Sequence, residues 1–202
     1  MSQPGFEVVR LVKPGEGSEE VEKVYAEICR MKDPRWLGPL FGFFAHVPGL
    51  LKAWWELQKQ LEVVKGHVPR DLTNRIAMVC AVASDCPRCV NFHKTDLIHR
   101  MEMDPEEVEK LHNFENADLP EAEKVVFRVA RKLTLNEQMT DAEFRALREA
   151  GYDDAAIVEI VSVALLEGGF ARHASVFARF EDGMNWPAQH TPSAEYRSVI
   201  DR

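Results

Sequence analysis

The sequence of 202 residues contains no run of about 18 apolar residues, so no segment is expected to span a membrane. Positive charge is also scarce, because 25 Lys and Arg stand against 33 Asp and Glu and give a formal net charge of −8. An acidic chain must overcome phosphate repulsion to bind nucleic acid or an anionic membrane. We therefore expect neither nucleic acid nor a membrane among its partners.

Cysteines are few, with four in the whole chain, and this number excludes a disulfide scaffold. An apolar leader is missing too, because charged residues interrupt the first 20 positions, namely Glu7, Arg10, Lys13, Glu16 and Glu19. We therefore expect no signal peptide and a cytoplasmic location, where thiols are reduced at rest. Closely spaced cysteines in such a chain are more often catalytic or metal-binding than structural.

Strand signals are nearly absent, and no phosphate-binding loop of the GxxxxGK type occurs. Apolar residues recur instead at helical spacing. The sequence predicts an all-α multi-helix bundle of about eight helices. We expect an N-terminal arm over 1–17, one all-helical domain over 18–182 and a C-terminal tail over 183–202. The segment 76–83 is apolar on every side, which indicates a central helix.

The most informative motif is Cys86-Pro-Arg-Cys89-Val-Asn-Phe-His93, at the predicted start of a helix. Cysteines three residues apart can form a disulfide across one helical turn. Helix N-terminal N–H groups and Arg88 favour a thiolate. His93 follows Cys89 by four residues and therefore shares its helix face, where it could accept the thiol proton. We expect Cys86, Cys89 and His93 to be catalytic, with no metal and no cofactor.

Two other interpretations of the motif stay open. Zinc could be held by Cys80, Cys86, Cys89 and His93, although Cys80 lies in an apolar run. The motif could also be inert. Cys29 and Cys80 are expected to be small core residues.

Other polar residues are weaker candidates. Glu167 lies in a strongly apolar stretch, and a buried carboxylate needs a partner, which Arg172 or His173 could supply locally. Asp96 and His99 are expected on the surface. The remaining histidines considered have no ligand-like spacing, namely His46, His67, His112 and His190.

The pattern Pro69-x-x-Leu-x-x-Arg-Ile76 followed by Cys-x-x-Cys-x-x-x-His resembles the alkylhydroperoxidase D-like branch of the carboxymuconolactone decarboxylase superfamily. The resemblance extends over most of the chain, from the segment 48–54 to the helix 157–177. It implies an all-helical subunit that assembles into homo-oligomers, commonly trimers or hexamers. It also implies an antioxidant, thiol-dependent peroxide reductase, which is a disulfide oxidoreductase.

In this family scheme Cys89 attacks the peroxide, Cys86 resolves the sulfenic acid as a disulfide, and His93 relays the proton. An external dithiol then reduces the pair, so a peroxide substrate and a dithiol reductant are the expected partners.

The sequence departs from the family at two positions. Asn74 stands twelve residues before Cys86, where the family has a relay glutamate, and Arg88 stands where it often has tyrosine. Either another carboxylate, Glu167 or Asp85, completes the relay, or the protein is a weak peroxidase, and Asn74→Glu would then raise activity. The alternative function is a redox sensor or a non-catalytic helical oligomer with a vestigial CxxC.

Overall fold

A computed structural model of the chain describes residues 9–32, 37 and 39–177. Residues 1–8, the segment 178–182 and the expected tail over 183–202 lie outside the described residues, and the division into arm, domain and tail stays a prediction. Within the described part the chain forms nine α-helices and no strand, which confirms the all-α prediction. The helices are α1 Glu19–Lys32, α2 Pro39–Phe44, α3 Pro48–Gln58, α4 Arg70–Ala83, α5 Pro87–His99, α6 Pro105–Glu109, α7 Glu121–Thr134, α8 Asp141–Glu149 and α9 Asp154–Phe177.

Helix α4 lies at the centre of the fold and packs against α5, α7 and α9. Its residues from Leu72 to Ala81 are buried apart from Arg75, as expected for a segment that is apolar on nearly every side. One hydrophobic core joins residues of α4 to those of α1, α3, α7 and α9. None of the described helices combines the length and the apolar character that crossing a membrane would require.

Local sequence signals fix several helix boundaries. Pro48 occupies the first turn of α3, where its missing N–H has no partner to lose. The Asp104 carboxylate caps α6, and Thr140 with Glu143 forms a capping box at α8. Gly151 has a φ of +95° and ends the turn after α8, a conformation that glycine adopts without steric cost.

The end of α3 is less regular than a simple helix stop. A π-helical turn, Lys59–Val63, continues the helix, and the chain becomes extended at Val64. Gly66 follows this turn. A Cβ atom there would meet the ends of the Arg70 and Glu159 side chains, so a larger residue would displace this ion pair.

Trp54 and Trp55 both pack inside the chain. Trp55 is fully buried, and Trp54 stacks on Phe44 with ring centroids 5.3 Å apart. Trp54 also contacts Phe170, and Gly169 lets its ring approach α9 closely. Most of the surface of this tryptophan pair is therefore covered within one subunit.

Candidate active site

The CxxC motif lies where α4 gives way to α5. Asp85 has a φ of +48°, which turns the chain after α4 and lets a new helix begin. Cys86 is the N-cap of α5, and its Sγ accepts a hydrogen bond from the backbone N–H of Cys89 at 3.4 Å. The two cysteines are joined by a disulfide with their Cα atoms 5.3 Å apart. The start of α5 therefore holds the two sulfur atoms together, and one of the unpaired N–H groups of its first turn donates to Cys86 Sγ.

His93 is buried one turn beyond Cys89 on the same helix. Its Nε2 forms a 2.9 Å hydrogen bond with Oε2 of Glu167 on α9. Its Nδ1 has no hydrogen-bond partner among the described residues. Burial alone would lower the pKa of His93, but the charge and hydrogen bond of Glu167 outweigh it and raise the pKa above the usual value. The ring therefore has Nε2 held by Glu167 and Nδ1 without a hydrogen bond among the described residues.

Glu167 is buried and carries an altered acidity. Burial, together with the negative charge of Glu62, raises the pKa of Glu167 to about 7 against the opposing effect of His93. The pair of His93 and Glu167 can therefore gain or lose a proton near neutral pH, which is the range a general acid–base group needs.

The partner of Glu167 differs from the one expected. Neither Arg172 nor His173 bonds to it: the guanidinium of Arg172 donates to the Oδ1 of Asn136, and the Nδ1 of His173 bonds to the carbonyl of Gly169. Glu167 points instead toward His93, because the bundle brings the middle of α9 against α5 and α4.

Asn74 is bound to groups other than His93. Its Nδ2 donates to the backbone carbonyl of Arg70 at 2.7 Å, and its Oδ1 accepts from Nη2 of Arg100 at 2.8 Å. Arg100 also pairs with Asp96, and both side chains are nearly inaccessible to solvent. The expectation that Asp96 lies on the surface is therefore wrong, because the i,i+4 partner Arg100 compensates its buried charge. His99 is half-buried.

Two buried residues of the site region escaped the sequence analysis. Glu62 accepts hydrogen bonds from Lys32 at 2.7 Å and from Gln58 at 2.8 Å. Burial opposes its ionisation, but the Lys32 ammonium together with Glu167 and His93 outweighs burial and lowers the pKa of Glu62 to about 2. The apolar neighbours Leu61 and Val63 were a signal that Glu62 is buried. Nothing near Lys32 in the sequence indicated its partner.

The remaining thiols are separate from the motif. Cys80 is fully buried, and burial raises the pKa of its thiol to about 12. Cys29 is half-buried on α1. Across the described ranges no group of three or more His, Cys, Asp or Glu side chains is arranged to hold a metal ion. The structure therefore does not assemble the four ligands of the zinc interpretation.

A surface pocket of about 410 Å³ opens beside the disulfide. Its lining includes Cys86 but not Cys89, so this pocket exposes the first cysteine of the motif. Lys94, Glu109 and His112 form its polar side, and Lys94 Nζ lies 2.5 Å from the Glu109 carboxylate. Solutes can thus reach Cys86 through this pocket, and Cys89 is half-buried as well, whereas His93 is buried.

No protein-family model and no curated protein matches the chain. Solved structures do resemble it in fold. A peroxidase-related protein from Silicibacter sp. TM1040, described as uncharacterized, superposes with a TM-score of 0.74 at 22% identity and covers 99% of both chains. An alkylhydroperoxidase AhpD core protein from Ralstonia eutropha JMP134 gives 0.73 at 20% identity, covering 87% of this chain and 92% of its own. The debrominase Bmp8 gives 0.72 at 19% identity and covers 96% of both. The chain therefore has the alkylhydroperoxidase D-like helical fold that its motif indicated.

Proposed function

We propose that this protein is a thiol-dependent peroxide reductase in which Cys89 is the nucleophile, Cys86 resolves it, and His93 with Glu167 moves the proton. The observation that carries the proposal is the disulfide of Cys86 and Cys89 at the start of α5, one turn from a histidine bonded to a buried carboxylate. The fold shared with proteins described as peroxidase-related supports it.

The proposed reduction of a peroxide proceeds in three steps. The Cys89 thiolate attacks a peroxide oxygen, the O–O bond breaks, and a proton converts the departing alkoxide to an alcohol, leaving a sulfenic acid. The Cys86 thiol then attacks that sulfur, which forms the disulfide and releases water. An external dithiol reduces the disulfide to two thiols and is itself oxidised.

In the first step, His93 would carry the proton from the Cys89 thiol to the peroxide. The Cys89 thiol proton passes to the free Nδ1 side of the imidazole and is returned to the leaving oxygen. Glu167 orients the ring through Nε2 and stabilises the imidazolium, as a third group does in other nucleophile–base pairs. Glu167 would thus do the work that the family assigns to the glutamate replaced here by Asn74.

The pocket suggests where the reductant attacks. A donor thiolate that enters it meets Cys86, so the mixed disulfide would form there and Cys89 would leave as a thiolate. This direction of attack regenerates the nucleophile next to His93.

The test is peroxide consumption by the reduced protein with a recycling dithiol. We expect Cys89→Ser to abolish turnover and Cys86→Ser to stop after one equivalent, with a sulfenic acid that a dimedone probe labels. Cys29→Ser is the matched control and should turn over normally. If Cys89→Ser consumes peroxide like the parent, the proposal is wrong. One oxidation followed by very slow turnover would instead identify a redox sensor.

Reductive dehalogenation is a second candidate, because the debrominase Bmp8 shares the fold and a cysteine-to-alanine variant of it was solved in complex with 2,3,4-tribromopyrrole. In such a reaction two thiols are oxidised to a disulfide, carbon–bromine is replaced by carbon–hydrogen, and bromide leaves. Incubating the reduced protein with this bromopyrrole and measuring released bromide, again against Cys89→Ser, separates the two activities.

A further inference from the structure

A line of buried polar groups extends from α1 to the histidine of the site. Lys32 and Glu62 form an ion pair at 2.7 Å, with side chains 6% and 2% exposed. Gln58 adds a third hydrogen-bonding group to the same carboxylate. Removing two charges from water costs several kcal/mol per ion, so a buried pair of this kind is weak as a device for stability. Its position next to Glu167 suggests another purpose.

The π turn that carries Glu62 packs against α9, which carries Glu167, and Oε1 of each carboxyl group has no hydrogen-bond partner among the described residues. Each group alters the pKa of the other, so the two carboxyl groups lie near one another. Two carboxyl groups that share a buried site cannot both ionise without a large electrostatic cost. Lys32 compensates the charge of Glu62 and His93 that of Glu167, so the two carboxyl groups are in unequal surroundings.

We propose that Glu62, kept ionised by Lys32, is a positioning residue whose charge holds the proton taken from Cys89 on the pair formed by Glu167 and His93 until that proton is returned to the leaving oxygen. This inference rests on the proposed peroxide reductase and names the groups that set the pH at which its proton relay works. Glu62 does not touch the sulfur atoms or the substrate; it acts through Glu167.

The backbone around Glu62 supports this role. Glu62 lies in the π-helical turn Lys59–Val63, which is the one π segment of the described chain. Leu61, Glu62 and Val63 are all buried in succession there. Single π turns occur often at functional sites, where they change the direction of a side chain. Here the turn packs against α9, and its Glu62 side chain lies inside the bundle.

Few of the groups around Glu167 titrate near neutral pH. Lys32 of α1 and Glu62 of the π turn form the ion pair, and Gln58 of α3 is neutral. On α4, Cys80 has a thiol pKa of about 12 and remains neutral. The nearby side chain of Thr134 on α7 is uncharged. On α5, Asp96 is paired with Arg100. The proton that moves near neutrality is therefore shared by Glu167 and His93, as coupled groups share it.

The sign of the effect follows from the charges. The Glu62 carboxylate attracts protons to both Glu167 and His93, and both of their pKa values are raised by it. Glu62→Gln removes this charge and should lower the pH at which the pair loses its proton. Lys32→Met removes the charge that keeps Glu62 ionised, so Glu62 itself should then titrate near neutral pH. A defect in packing alone would not transfer a titration to Glu62.

The experiment measures two quantities over pH 5–9 in the reduced, full-length protein. The first is the rate of peroxide-dependent disulfide formation, and the second is the NMR chemical shift of the His93 ring. We expect the midpoints of Glu62→Gln to move to lower pH by about one unit. In Lys32→Met the Glu62 carboxyl group should titrate near neutral pH, which carbon-13 NMR detects. Glu62→Asp, which keeps the charge, should stay near the parent.

A matched control is Glu159→Gln, which removes another buried carboxylate of α9, one that pairs with Arg70 instead of the site. Its midpoints should equal those of the parent. Carbon-13 titration of the carboxyl groups in the unaltered protein covers the case in which a variant does not fold: Glu62 should stay ionised from pH 5 to 9 while Glu167 titrates.

The inference is overturned if Glu62 titrates near pH 7 in the unaltered protein, or if peroxide is reduced and the Glu62→Gln midpoints do not move. Failure of the proposed function looks different. In that case peroxide is not consumed at any pH, whereas the His93 titration, which needs no substrate, still moves in Glu62→Gln.

Discussion

His93 and Glu167 lie 74 residues apart in the chain, and their Nε2 and Oε2 atoms are 2.9 Å apart in the folded protein. Both side chains are almost wholly removed from solvent, with 6% and 5% exposed. Hydrogen bonds to a charged partner are stronger than neutral ones, and low dielectric strengthens them further. The histidine beside the CxxC pair is therefore bonded to a buried carboxylate, and this carboxylate belongs to α9 and not to the position of Asn74 on α4.

Glu167→Gln is expected to reduce peroxide consumption by about 10²-fold or more, because the amide can still orient His93 but cannot stabilise its imidazolium. The rate is measured at neutral pH with the same dithiol donor as for the parent. Glu159→Gln serves as the control and should be close to the parent. A fully active Glu167→Gln would show that the histidine works without a carboxylate.

Protein stability should depend on pH through the same pair. The folded-state pKa values of Glu167, about 7, and of His93 are both raised, so their contribution to stability is full below the unfolded values and is lost as pH rises through the folded ones. The free energy of unfolding of the parent should therefore fall between pH 5 and 8, by a contribution on the order of 1–3 kcal/mol. Urea unfolding of Glu167→Gln should show a weaker or reversed fall. An identical slope in parent and variant would contradict the raised pKa.

Asn74→Glu should not raise peroxidase activity, contrary to the expectation from sequence. Asn74 bonds to Arg100 and to the carbonyl of Arg70, so a carboxylate placed there would pair with Arg100 and compete with Asp96. The substitution would also remove the hydrogen bond that Asn74 Nδ2 now donates to the backbone carbonyl of Arg70. Steady-state peroxide consumption should stay equal to or below that of the parent, with reduced thermal stability. A clear gain in rate would show that the new carboxylate reaches His93.

Thiol reactivity should follow the order of burial. After reduction, Cys86 and Cys89 should react with iodoacetamide at pH 8, whereas Cys80, with a pKa of about 12, should react only on unfolding. Ionisation alone leaves roughly one Cys80 thiol in 10⁴ as thiolate at that pH. Mass spectrometry after mild peroxide treatment should find the Cys86–Cys89 link. A dominant link to Cys80 would contradict this.

Self-association remains a prediction, and exposed apolar residues of α9 support it. Val158, Leu165 and Val176 are more than half exposed and recur at spacings of seven and eleven residues, so they share one helix face. We expect a homo-oligomer by light scattering at micromolar concentration and a smaller species for Leu165→Glu. Leu57→Glu, on the exposed side of α3, is the control. A monomeric parent would rule out the assembly.

The sequence by itself determined the helices and the arrangement of the CxxC motif with its histidine. Periodicity, Pro48, the capping box at Thr140 and the stop at Gly151 are local signals, and local hydrogen bonds satisfy them wherever the helix lies. The Cys86–Cys89 pairing and the place of His93 one turn later also follow from spacing along one helix.

Only the tertiary structure decided the partners of the buried charges. Glu167 could be recognised as a carboxylate in an apolar run, but its contact with His93 depends on how α9 crosses α5. The same is true of Lys32 with Glu62, which are 30 residues apart. Ion pairs between distant segments leave no period in a sequence, because their geometry is set by helix packing and by the need to compensate each buried charge.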